Sequence, residues 1–110
     1  ATRTRRTSRE PVLMLDDILE EAHRITHNDR NDDYGPPIDD YTRTVEIFRL
    51  LSGVDLTPEE GALFMIAVKL SRLRHNIDDN AVHRDSLVAA AGYLWVFASI
   101  AESRGKMSIR

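Results

Sequence analysis

The chain has 110 residues, 42% hydrophobic and 30% charged, with a formal net charge of −3 and no cysteine. That length suits one hydrophobic core and is too short for two, and the missing cysteine excludes a disulfide framework, a thiolate zinc site and a cysteine nucleophile. The charge is split, because residues 1–10 set Arg3, Arg5, Arg6 and Arg9 against Glu10 and carry +3, leaving −6 on the remainder.

Residues 1–11 read as an extended or disordered arm, either a solvated tail or a segment that contacts nucleic acid or an acidic protein through its four arginines. No apolar core with a cleavage site follows the arginines, so a secretory signal is not expected. The longest nearly apolar run, Leu87 to Ala101, has fifteen residues, short of the roughly 20 that span a bilayer as a helix. The expectation is a soluble, cytoplasmic protein without a membrane partner, with a single helical domain at 12–104 and a short tail at 105–110.

After Pro11, Leu15, Ile18, Leu19, Ala22 and Ile25 recur at spacings of three and four, which predicts a first helix from Leu13 to Thr26. Asp16, Asp17, Glu20 and Glu21 occupy its early turns, where negative charge suits the helix dipole. The stretch from His27 to Pro37 reads as a polar connector, dense in charge and closed by Gly35, Pro36 and Pro37. Pro37 or Asp39 opens a second helix with a stripe of Tyr41, Val45, Phe48 and Leu51, stopped by Ser52 and Gly53. Thr57, Pro58 and Glu60 form the start of a third, with Thr57 as N-cap, Pro58 at the first helical position and Glu60 completing a capping box. It runs to about His75, its last turns turning basic. A loop follows at Asn76 to His83, and Asp85 or Ser86 caps a fourth helix that reaches about Ser103 before Gly105. No strand-like alternation competes, so the fold class is all-α, a four-helix bundle-like domain.

Ala62 to Val68, and Leu87 to Ala101, are apolar around most of the helix, whereas a surface helix needs one apolar stripe. Either the fourth helix is simply central, or the chain is a homo-oligomer, a dimer or tetramer, with Tyr93, Trp95 and Phe97 at the contact.

Four groups of side chains have the makings of a site. Asp17 with Glu20 or Glu21 shares a helical face, where paired carboxylates hold Mg²⁺ or merely complement the dipole. Lys69 and Arg72, with Asn76 along the same ridge, form either a polyphosphate clamp or a solvated helix end; Arg74 points elsewhere. In the connector, His27 is a candidate acid, base or phosphate donor, Arg30 supplies a guanidinium, Asp29 and Asp33 are candidates for binding metal or orienting His27, and Tyr34 for stacking on a base. The alternative is turn chemistry, with Tyr34 plugging the bundle end. At the start of the fourth helix, His83, Arg84, Asp85 and Ser86 make an anion site, with Asp85 a metal ligand or a cap. His23 and His75 have no obvious partner. There is no nucleophile elbow, Walker loop, dinucleotide fingerprint or zinc spacing.

The order of an acidic first helix, H-x-D-R-x-x-x-Y-G-P-P, K-L-S-R-L and R-D-S-x-x-x-x-A-G-Y resembles a family of small proteins of unassigned function encoded mainly by actinobacterial phages. More remotely it is similar to the MazG-like all-α nucleoside triphosphate pyrophosphatases. That second resemblance implies a helical oligomer in which carboxylates hold Mg²⁺ against a nucleoside triphosphate and release pyrophosphate. It would make Asp17, Glu20, Glu21 and Asp85 metal ligands, with Glu20 and Asp85 catalytic, and His27, Arg30, Tyr34, Lys69 and Arg72 nucleotide-binding. The chain departs from the pattern at Ala89, where a second acid is expected one turn after Asp85, so Glu46 or a residue of another subunit would have to substitute. A different class of function also fits, a non-enzymatic helical assembly module whose arginine-rich arm reaches DNA or an acidic partner.

Overall fold

The computed structural model describes residues 10–108, and side chains from Asp16 onward other than those of Asn28, Asp29 and Asn31. Residues 1–9 of the expected arm and the side chain of Leu15 lie outside what is described. Every regular element among the described residues is helical: α1 (Glu10–Arg24), a π-helical turn (Ile25–Asp29), α2 (Arg30–Tyr34), α3 (Pro37–Ser52), α4 (Pro58–Asp78) and α5 (Arg84–Ser103). Glu10 and Pro11, expected in the arm, are helical. The start of α1 at Glu10 puts Asp16, Asp17, Glu20 and Glu21 in its middle and later turns, not the first turns where the dipole favours acids.

The largest departure from the expected layout is the connector, which is helical as far as Tyr34 and breaks only at Gly35 and Pro36. The π-turn closes with the Arg30 amide donating to the Ile25 carbonyl, and such a widened turn needs local support. Side chains provide it. Thr26 Oγ1 donates to the Ala22 carbonyl at 2.8 Å, and His27 Nδ1 reaches the His23 carbonyl at 2.8 Å. Gly35 then takes φ +77°, a conformation costly for any residue with a Cβ, and Pro36 and Pro37 start α3.

At α4 the capping box forms as expected. The Glu60 amide donates to Thr57 Oγ1 at 3.1 Å, and the Thr57 amide donates to Glu60 Oε1 at 2.8 Å. The helix continues one turn past His75, to Asp78, and in that turn Arg74 pairs with Asp78 at 2.8 Å and His75 Nε2 lies 3.2 Å from Asp79. The expected loop therefore shortens to residues 79–83, held by Asn76, whose Oδ1 accepts from the His83 amide at 3.1 Å. His83, and neither Asp85 nor Ser86, is the N-cap of α5.

The core is made by α3, α4 and α5. Tyr41, Ala62, Val96 and Ile100 are buried together, with Ile38, Met65, Tyr93, Trp95 and Phe97 packed against them. Val96 and Ile100 are almost wholly removed from water, each stabilising the fold by about 1.5–3 kcal/mol. The aromatic residues expected at an oligomer contact are thus engaged within the subunit. Close approach of α3 and α4 depends on Gly61, where a Cβ would lie 2.9 Å from Val45 Cγ1 and 3.3 Å from Tyr41 Cδ2. α1 packs mainly on α5, while Glu59 and Arg104, 2.9 Å apart, join the start of α4 to the end of α5.

Candidate functional site

Between α1, the π-turn and α2 on one side and α5 on the other lies a pocket of about 410 Å³. Its floor is apolar, built from Ala22, Ile25, Val88, Ala89, Gly92 and Val96, and its polar wall is Glu21, Thr26, Arg30, Asp33, Tyr34, Asp85 and Tyr93. The π-turn matters here because it ends one helical segment and re-aims the next, so that α2 turns Arg30, Asp33 and Tyr34 toward α5.

Arg30 is the anchor of that wall. It is buried, donates through Nη1 to the Gly35 carbonyl at 3.0 Å and pairs through Nη2 with Asp40 at 2.5 Å. Its guanidinium carbon lies 5.8 Å from the ring centres of both Tyr34 and Tyr41, within the range of a cation–π contact. Its two terminal nitrogens thus tie α2 to the Gly35 turn and to Asp40 at the start of α3. Burial, followed by the nearby Tyr93 and Asp40, pushes the Tyr41 phenol up to about 12, with Arg30 opposing. Burial and the nearby Tyr34 likewise raise the Tyr93 phenol. Both rings present neutral phenols at physiological pH.

The carboxylates of α1 have a partner that the sequence pattern did not suggest. Arg84, at the first position of α5, pairs with Asp17 and, at 2.6 Å, with Glu21. Glu21, then Asp17, holds the guanidinium more firmly protonated than usual. A cation in the first turn of a helix opposes the dipole, and that misplacement is the signal that acidic groups face it. Among the described residues no group of three or more His, Asp or Glu is arranged to hold a metal ion.

The candidate residues thus divide. Glu21, Arg30, Tyr34 and Asp85 line one pocket, joined by Asp33 and Tyr93. Arg72 opens instead onto a separate hollow with His75, Asn76, His83 and Ser86, and Asp85 borders both. Lys69, half-buried on α4, lines neither hollow, and Glu20 is exposed on α1. His27 stacks on His23 with ring centres 3.9 Å apart and leans on Trp95 at 4.6 Å, so it braces the π-turn, and His23 has a partner after all. Glu46 is exposed and pairs with Arg49 at 2.6 Å, away from the pocket. Ala89 contributes a methyl to the floor, where the carboxylate of a second acid would otherwise stand.

Two curated relatives are similar to the chain. It is 32% identical over 80 residues to the Gene 55 protein of Mycobacterium phage D29, covering 73% of this chain and 50% of that protein. It is 34% identical over 80 residues to the Gene 55 protein of Mycobacterium phage L5, covering 72% and 49%. The chain therefore spans about half the length of the curated relatives it matches. No solved structure matches it significantly. The model of a domain of unknown function, DUF6378, matches residues 17–101, which hold α5 almost entire and every residue that lines the pocket, and the chain belongs to that phage-represented family.

Proposed function

We propose that the pocket between α1, α2 and α5 binds a nucleoside triphosphate together with Mg²⁺, in the manner of the MazG-like pyrophosphatases to which the chain bears its remote resemblance. The observation that carries this reading is the meeting of Glu21 from α1 and Asp85 from α5 on one pocket that also offers Tyr34 and Tyr93 above an apolar floor. The volume, about 410 Å³, falls in the range of small-molecule sites, about 300–1,000 Å³. Three carboxylates, with Arg30 engaged by Asp40 and Arg84 by Asp17 and Glu21, make a poor cradle for a bare polyphosphate. They suit one whose charge is offset by a cation.

The donor set fits Mg²⁺ arriving with the nucleotide, because this ion is commonly held by one or two carboxylates, water and substrate phosphates. A protein-only metal cage does not fit these residues. Bound there, Mg²⁺ would neutralise and polarise the phosphates. Of the chain's own groups, Tyr34 and Tyr93 stack on or flank the base, Arg30 fixes the α2 wall, and Asp85 is the carboxylate in position to orient a water. Glu21, which lines the pocket, takes in this scheme the role that the resemblance implies for Glu20. Lys69 and Arg72 stand outside this scheme.

Thermal-shift titration with a panel of ribo- and deoxyribonucleoside triphosphates, with and without Mg²⁺, and pyrophosphate detection in parallel, tests the reading. Stabilisation that requires Mg²⁺ and disappears in Asp85→Asn and Glu21→Gln is expected. No stabilisation and no pyrophosphate with any nucleotide would reject it.

A further inference from the structure

The subunit leaves large apolar side chains in water along α4 and at Leu94 of α5. On α4, Leu63, Leu70 and Ile77 recur every seven residues and are 53%, 53% and 59% exposed, a spacing that keeps them on one line of a helix packed against another. On α5, Leu87, Ala91, Leu94 and Ala98 recur at four, three and four, with Leu94 58% exposed. This line lies on the far side of α5 from Ala89, Gly92, Tyr93 and Val96, which face the pocket and core. From Leu87 to Ala101, Leu94 is the one exposed residue, and Leu87, Ala91 and Ala98 beside it are half-buried, so this line of α5 is incompletely covered within the subunit.

We propose that this face of α4 and α5 is the interface of a homodimer, in which the two-helix layer of one subunit stacks on that of its two-fold mate to complete a four-helix bundle. Area supports a second copy as the occupant. At about 200 Å² for a large side chain, Leu63, Leu70, Ile77 and Leu94 alone expose on the order of 450 Å² per subunit, or about 900 Å² in a symmetric pair. That already exceeds the roughly 800 Å² of ordinary packing contacts, and the half-buried Leu87, Ala91 and Ala98 add to it. Shape supports it as well, since bulky Leu70 and Leu94 alternate with Ala67, Ala91 and Ala98, and a two-fold axis sets large against small. α5 carries no charge from Leu87 to Ala101, so a nucleic acid or charged peptide finds nothing there to pair with. The exposed Arg74–Asp78 ion pair beside the stripe suits the wet rim of a protein contact and not lipid. The pocket stays open on the opposite side of α5, so the dimer does not depend on the nucleotide reading.

Light scattering on size-exclusion eluate should give about 25 kDa at micromolar concentration, twice the 12.5 kDa of the chain. The double variant Leu70→Glu/Leu94→Glu should elute as a monomer with its helical circular dichroism intact, while Leu50→Glu/Leu51→Glu, on the other exposed apolar face, should remain dimeric. Should the first variant not fold, cross-linking decides: in a chain without cysteine, a short bismaleimide should join subunits through Leu94→Cys and not through Leu50→Cys. A monomeric wild-type protein at high micromolar concentration, a dimer that survives Leu70→Glu/Leu94→Glu, or linkage through position 50 in preference to 94 would overturn the proposal.

Discussion

Arg30→Met preserves much of the side-chain stem and removes the guanidinium, so it isolates the staple that holds α2 to α3. Arg30 is 8% exposed and meets Asp40 at 2.5 Å, while its other terminal nitrogen donates to the Gly35 carbonyl at 3.0 Å. Removing one member of a buried ion pair costs about 3–5 kcal/mol, because the surviving charge stays desolvated. Asp40 keeps 22% exposure and has Arg43 at 3.8 Å. That partial relief brings the expected loss down to about 2–3 kcal/mol, of which the carbonyl bond accounts for about 1 kcal/mol. In a domain of this size the fall in Tm would be about 10–20 °C. Urea denaturation followed by circular dichroism and by the fluorescence of Trp95, the single tryptophan, measures it, with Asp40→Asn and the double variant closing a cycle. A coupling of about 1–2 kcal/mol between the two positions is expected. If Arg30→Met lies within about 0.5 kcal/mol of wild type, the range of ordinary surface substitutions, or if the effects of the two changes simply add, the pair does not hold the pocket wall and the reasoning fails.

Arg84→Ala should lower the urea midpoint less than Arg30→Met does, because the side chains of Arg84 and Asp17 are 33% and 60% exposed and solvent screens such pairs; the reverse ranking would contradict this. Thr57→Ala removes the acceptor of the α4 capping box and should cost about 1 kcal/mol, while Thr57→Ser should retain most of it. Because the folded state holds the Tyr41 phenol up at about 12 against an ordinary value of 10.0, its contribution to stability is intact below pH 10 and lost as pH rises through that interval. Denaturation midpoints should therefore fall between pH 10 and 12 in the wild type, and fall less in Tyr41→Phe; identical profiles would refute the assignment.

The parts of this fold that were legible in the sequence are those whose causes lie within a few residues. Thr57, Pro58 and Glu60 announce the start of α4, and Gly53 the end of α3, because capping is local chemistry. The same local rules mistook the segment after Thr26 for a loop. Asn, Asp and Gly do favour turns, but here a tertiary context outweighs composition: His27 is held between His23 and Trp95, and Thr26 bonds back to Ala22. His27 and Lys69 looked functional by residue type, yet one braces a π-turn and the other leaves the pocket to groups on other helices. The pairing of Arg84 with Asp17, 67 residues apart, has no periodic signature, although each partner breaks or obeys a rule that bears on it. Asp17 lies two turns into α1, beyond the reach of the helix dipole, and Arg84 stands at the helix end where a cation is disfavoured. A residue that violates a local preference at low cost must find its compensation elsewhere in the fold. That inference from Arg84 points to an acidic surface facing the start of α5, which is the side of the pocket where Glu21 and Asp85 meet.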